Sequence, residues 1–371
     1  MPKPHPKNER VKRQYLGWME EARGRSKSTA DDAAASIAAF ERSTGHRDFA
    51  SFHIEQARKF RRDILEAVNS ATGKRYARAT VTTRLKQVRA FFLWLADQPG
   101  YRSRIRRSDC DYFNPTRHDL EISNARREKR FPSEAQIQRV IEYAPHNTPI
   151  DKRNRALVAF AYATGARCDV LASISLQHVN LEEDTIFQDA RSVRTKFRKS
   201  FTSVFFPVGE RFLDIIREWI HYLIEDCHFG PTDPLFPPTM MARGEDGLFS
   251  RATFSRSHWK QTNSIRTIFR KLFEHADLPY YHPHSFRDTL VQKGERECPN
   301  HESFKGWSQN LGHEHVATTH ASYAPISLER RRQLLAEKSA PTSQLELVGD
   351  PSQEVVDWVL GHISQRWRDA D

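Results

Sequence analysis

Residues 151–163 end in an apolar run, ALVAFAYA at 156–163, with no polar face at helical spacing. A helix that is apolar all round has to be buried, so this stretch demands a core large enough to enclose it. Gly165 stands where such a helix would end, and Arg167 follows at once. A rigid buried element therefore delivers an arginine at its exit. That arginine either caps the helix carbonyls or serves a site just beyond them. With 371 residues the chain has length for two domains and for a sizeable core in at least one.

Around this helix the second half reads as mainly α with a small antiparallel sheet. Ser133 and Gln136 have capping-box spacing, which starts a helix near residue 134. TIFQ at 185–188 and SFTSVFFP at 200–207 read as strands, with Lys196 at or near the turn between them. Helices are expected at 209–227 and 253–276, and TDPLFPP at 232–238 is an irregular connector. Further on come His284 and Arg287 in an HxxR pair, His313 in GWSQNLGHE, and Tyr323 ten residues after His313. On one helix, three-residue spacing puts His284 and Arg287 on one face. A proton carrier and a planar cation so placed are suited to handling a phosphodiester. A tyrosine hydroxyl attacks such a centre once the phosphate is neutralised and the leaving group protonated.

The first third reads as helical. Ser28 or Thr29 can cap a helix that ends near Gly45, and Ala57, Phe60, Ile64 and Val68 give a second over 52–68. The clearest helix is 80–97, where Val81, Leu85, Val88, Phe92 and Leu95 form one apolar stripe and Arg84, Lys86 and Arg89 fall largely outside it. Lys74, Arg75 and Arg78 lie upstream, and Arg102, Arg104, Arg106 and Arg107 downstream. Residues 117–131 lack an apolar stripe and carry Arg126, Arg127, Lys129 and Arg130, so a basic linker is expected there. The net charge of +11 makes a polyanion the default partner, and the clusters named here are positioned to follow a phosphate backbone.

The four cysteines stand far apart, with no metal-ligand spacing, and read as reduced intracellular thiols. No apolar run approaches a membrane span, and MPKPHPKNERVKRQ lacks the apolar core of a signal peptide, so a cytoplasmic protein is expected. No GxxxxGK[ST] loop is present to hold a nucleotide.

AYATGAR at 161–167, TKFRK at 195–199, HSFR at 284–287, LGHE at 311–314 and Tyr323 occur in an order that resembles the tyrosine site-specific recombinases, the phage integrase family. The resemblance spans about 133–337, and more loosely a helical core-binding domain before it. It implies that Arg167 and Arg287 bind the non-bridging oxygens of a scissile phosphate. Lys196 would be the general acid for the departing 5′ oxygen, and His284 would assist proton movement at the tyrosine. His313 would hydrogen-bond the phosphate, and Tyr323 would form a 3′-phosphotyrosyl link without ATP, metal or other cofactor. Three positions depart from the family's pattern. Val170 stands where a glutamate is common, Asp288 where a histidine is common, and the step from His313 to Tyr323 is one residue longer than usual. One extra residue turns a helix by about 100°.

The expected organisation is a helical DNA-binding domain over 1–116, the linker over 117–131, a catalytic domain over 132–338, and a tail over 339–371. The tail includes an amphipathic stretch at 351–364, which either folds back on its own domain or, by the family comparison, docks on a neighbouring protomer. The expected function is cleavage and rejoining of double-stranded DNA by a homo-oligomer, a tetramer on paired sites. Alternatives are relaxation like that of a type IB topoisomerase, or a non-catalytic DNA-binding regulator with the same fold.

Overall fold

The computed structural model describes residues 5–70, 72–124, 129–195, 199–243, 249–314, 316, 317, 319, 331, 332 and 335. The chain divides into two compact units, Met1–Arg127 and Glu128–Asp371. No described helix is long and apolar enough to cross a membrane.

The first unit is helical: α1 (Pro6–Glu21), α2 (Lys27–Ser43), α3 (Ile54–Glu66), α4 (Arg78–Leu95) and α5 (Arg117–Asn124). The α4 stripe is buried as its spacing predicts, with Val88, Phe92 and Leu95 fully enclosed. Phe92 is the centre of an aromatic core. Phe52 stacks on it at 4.2 Å, and Phe40 meets it edge-on at 4.9 Å. The sequence reading assigns no helix to residues 6–21, yet Val11, Tyr15 and Met19 recur every four residues and are buried there. Asn8 fastens this helix: its Nδ2 donates to Glu41 Oε1 at 3.1 Å, and its Oδ1 accepts from the Phe49 N–H at 3.0 Å. Ser26, not Ser28 or Thr29, caps α2, its hydroxyl accepting from the Thr29 N–H.

The second unit holds α6 (Glu134–Tyr143), α7 (Pro149–Thr164), α8 (Cys168–Leu171), β1 (Val179–Asn180), β2 (Thr185–Gln188), β3 (Phe201–Val204), α9 (Glu210–His221), β4 (Thr239–Arg243), β5 (Phe249–Phe254), α10 (Asn263–His275), α11 (Ser285–Glu297) and α12 (His301–Asn310). The chain is mainly helical, with β1-β2-β3 as a small antiparallel sheet and β4-β5 as a separate hairpin. Helix α7 is the axis of the core: every residue from Ala156 to Thr164 is buried. Thr148 and Asp151 close a capping box at its start, as Ser133 and Gln136 do for α6.

Three expectations change. Arg117–Asn124, inside the expected linker, is helical and packs on α4, where Asp119 accepts from Arg78 at 3.4 Å. Residues 249–254 are a strand, and the helix expected from 253 begins at Asn263. The physical reason is local: residues 253–262 hold no helical stripe, whereas Ile265, Ile268, Phe269 and Leu272 form one. The strand expected over 200–207 is confined to Phe201–Val204, the residues that pair with β2. The tail at 339–371 lies outside the described residues.

Candidate active site

The site grows from the end of α7. Gly165 adopts φ +60°, the left-handed conformation that suits glycine, and its N–H donates to the Ala161 carbonyl at 3.0 Å. Glycine is needed for a second reason. A Cβ here would lie 2.7 Å from Leu311 Cδ2 and 3.2 Å from Leu290 Cδ1. The close approach puts the Gly165 carbonyl within reach of Arg287, in the first turn of α11, whose Nη1 donates to it at 2.7 Å. Arg287 Nη2 donates to the Leu311 carbonyl at 2.6 Å and lies 3.0 Å from His313 Nε2. Arg287 is 3% exposed, and carbonyls from two separate segments and an imidazole set the plane of its guanidinium.

His313 reaches this position through the turn after α12. Gly312 has φ +74°, and a Cβ on it would stand 2.6 Å from Phe201 Cζ, which seats the turn against β3. Glu314 extends the same junction through an ion pair with Lys199, just before β3. Trp307 locks α12 to α11: its Nε1 donates to the Leu290 carbonyl at 2.9 Å, and its ring covers Gly294, where a Cβ would be 2.7 Å from Cδ1. Behind the imidazole, His313 Nδ1 lies 2.8 Å from Thr319 Oγ1, and that oxygen lies 2.5 Å from Ser308 Oγ.

His284 is the N-cap of α11 and lies just outside the helix, with its backbone already in the right-handed region at φ −62° and ψ −24°. The HxxR pair is thus split between a cap and a first turn, which keeps both side chains near one face. Burial first, and then the positive charges of Arg287 and Arg167, bring the His284 pKa down to about 4. The imidazole is therefore neutral at pH 7, and burial and the neighbouring cations disfavour its protonated form. Arg167 is the N-cap of α8, three residues past the end of α7. Asp288, where the family commonly has histidine, is 4% exposed and forms an ion pair with Lys129 at 3.8 Å.

Of the expected catalytic residues, Arg167, His284, Arg287 and His313 come together in this way. Lys196 and Tyr323 lie outside the described residues; β2 and β3 flank Lys196 in the sequence. Among the expected DNA contacts, Lys74, Arg75, Arg78, Lys86, Lys129 and Arg130 are exposed. Arg75 pairs with Glu66, and Arg84 lies over the Tyr76 ring at 4.2 Å. Arg126 and Arg127 lie outside the described residues. Sequence reasoning does not reach Thr319 and Ser308. Each is an ordinary hydroxyl in the sequence, and only the fold brings them behind His313.

The phage integrase family model matches residues 130–330, more than half of the chain. Tyrosine recombinase XerC of Halalkalibacterium halodurans is 23% identical over 69% of this chain and 74% of its own length. XerC of Lactobacillus delbrueckii subsp. bulgaricus is 24% identical over 73% of this chain and 82% of its own. In structure, the Tn1549 transposon integrase in complex with transposon right end DNA superimposes with a TM-score of 0.55 at 13% identity, covering 89% of this chain and 99% of that one. The fold and the family match are those of a tyrosine recombinase, an enzyme that cleaves and rejoins DNA strands. The chain belongs to the phage integrase family.

Proposed function

We propose that this chain exchanges strands between two duplex DNA sites through a 3′-phosphotyrosyl intermediate, with Tyr323 as nucleophile. The observation that carries the reading is the buried Arg287–His313 pair, which holds a planar cation and an imidazole side by side on backbone that three segments fix. Arg287 and Arg167 neutralise the non-bridging oxygens of the scissile phosphate, the two-pronged contact that arginine makes better than lysine. His313 adds a hydrogen bond to the same phosphate. His284 assists the movement of the phenolic proton as the tyrosine oxygen bonds to phosphorus. The bond to the 5′ oxygen breaks, and the Lys196 ammonium supplies the proton that oxygen needs. The 5′ hydroxyl of a partner strand then attacks the phosphotyrosine and releases Tyr323. Because the ester bond is conserved throughout, the cycle requires no nucleotide hydrolysis and no metal.

The domain roles belong to the same proposal. The helical first unit and the basic residues around 74–86 and 126–130 grip the duplex backbone, and the second unit carries the chemistry. A transposon integrase of like fold is in complex with transposon right end DNA, which supports DNA as the partner. A homotetramer on paired sites supplies four tyrosines for four strands. A DNA substrate of this kind also supports a cytoplasmic location.

The test uses a plasmid carrying two copies of the DNA that flanks the gene, and a second plasmid carrying one copy. Recombinant circles from the first and none from the second are expected. Relaxation of both plasmids without recombinant product would instead favour a topoisomerase-like activity.

A further inference from the structure

We propose that Thr319 is the positioning residue of His313, holding its ring so that Nε2 faces the phosphate site. The inference rests on the reading of His313 as a phosphate ligand and adds a residue that the reading does not include. Its starting point is a rule of hydrogen-bond chemistry: a guanidinium has five N–H donors and no acceptor. His313 Nε2 lies 3.0 Å from Arg287 Nη2, so Nε2 presents a lone pair there. A neutral imidazole has one N–H, which must then be on Nδ1. Nδ1–H faces Thr319 Oγ1 at 2.8 Å and donates to it. The Thr319 hydroxyl keeps its own proton and a second lone pair for Ser308 Oγ at 2.5 Å, where either oxygen can donate. One arginine thus sets the direction of the bond between the ring and Thr319.

Burial makes this chain of bonds selective. Thr319 and Ser308 are 0% exposed and His313 is 6% exposed, so water does not easily replace a missing partner. A hydroxyl also suits the DNA-bound state. A phosphate oxygen only accepts, so His313 must offer it Nε2–H once the phosphate occupies the site. Whichever proton state the ring then adopts, Thr319 keeps a bond to Nδ1, because a hydroxyl both accepts and donates. A carboxylate in its place would accept only and would bias the ring toward the imidazolium.

The test is a ring-nitrogen NMR spectrum of the full-length, histidine-labelled protein without DNA, with His313 assigned by its loss in His313→Gln. A neutral Nδ1–H ring is expected. A ring protonated on Nε2 would overturn the proposal on the unmodified protein alone, whether or not any variant folds. Thr319→Val, which keeps the shape and removes the hydroxyl, is expected to mix the tautomers. It should also slow single-turnover cleavage of a nicked duplex carrying the gene-flanking DNA by about tenfold to thirtyfold. Thr319→Ser should recover the wild-type ring signal and most of the rate. A purely structural role predicts an unchanged ring spectrum in Thr319→Val, and that result would also overturn the proposal. The underlying reading fails separately. If His313→Gln cleaves like wild type, His313 is not a phosphate ligand, while the spectra still decide whether Thr319 orients it.

Discussion

Replacing Arg287 by alanine is expected to slow single-turnover cleavage by about a hundredfold to a thousandfold, the range for losing one preorganised donor to a reacting oxyanion. The same change should destabilise the catalytic unit by about 2–4 kcal/mol, because two buried carbonyl acceptors lose their partner together. Those acceptors are the carbonyls of Gly165 and Leu311, at 2.7 and 2.6 Å. The residue thus joins the exit of α7 to the turn that carries His313 and also addresses the phosphate. Arg287→Lys separates the two effects. An ammonium keeps the charge, yet it cannot reproduce the planar fork that spans both carbonyls and the imidazole. Urea unfolding measured beside cleavage checks both numbers. An alanine variant that cleaves normally would remove Arg287 from the chemistry.

Lys196→Ala is expected to slow cleavage of ordinary DNA by about a hundredfold to ten-thousandfold, the span for loss of a general acid. A 5′ alkoxide leaves poorly unless it is protonated, whereas a 5′ thiolate leaves readily without help. DNA with sulfur at the bridging 5′ position should therefore restore much of the rate to Lys196→Ala. It should not restore Arg287→Ala, whose loss concerns the non-bridging oxygens. Lys199 is the natural control, three residues along and ion-paired with Glu314 beside His313. Sulfur rescue of Lys199→Ala and not of Lys196→Ala would transfer the acid's role to Lys199, and rescue of neither would place the acid on another residue.

The elements legible in the sequence are those whose causes are local. The apolar run at 156–163 is buried on every side, the Ser133–Gln136 box caps α6, and the α4 stripe faces inward because each rests on spacing within a few turns. Gly165 is legible as a helix end for the same reason. Its second duty is not, since the side chains of Leu311 and Leu290 that exclude a Cβ come from distant segments. Helix α1 is hard to see because its apolar positions are sparse among charges, and the Asn8 bonds to Glu41 and Phe49 that fasten it span more than thirty residues. The end of the β4–β5 hairpin reads as the start of a helix, because a strand's partner is not visible in its own residues. In the site, residue types suited to phosphate chemistry point to Arg167, His284, Arg287 and His313. The carbonyls that hold Arg287 and the hydroxyls behind His313 carry no such mark, and only the fold assembles them.

The central claim is covalent: Tyr323 attacks the scissile phosphate and remains joined to the 3′ end. Its most direct measurement traps the protein on a nicked duplex carrying the gene-flanking DNA, from which the short 5′ fragment diffuses away, and then sequences the DNA-linked peptide by mass spectrometry. The account predicts a single adduct on Tyr323, bonded to a 3′ phosphate, and none with Tyr323→Phe, which lacks only the attacking oxygen and should bind the same duplex almost normally. An adduct that persists in Tyr323→Phe, or that maps to another residue of the wild-type chain, would contradict it.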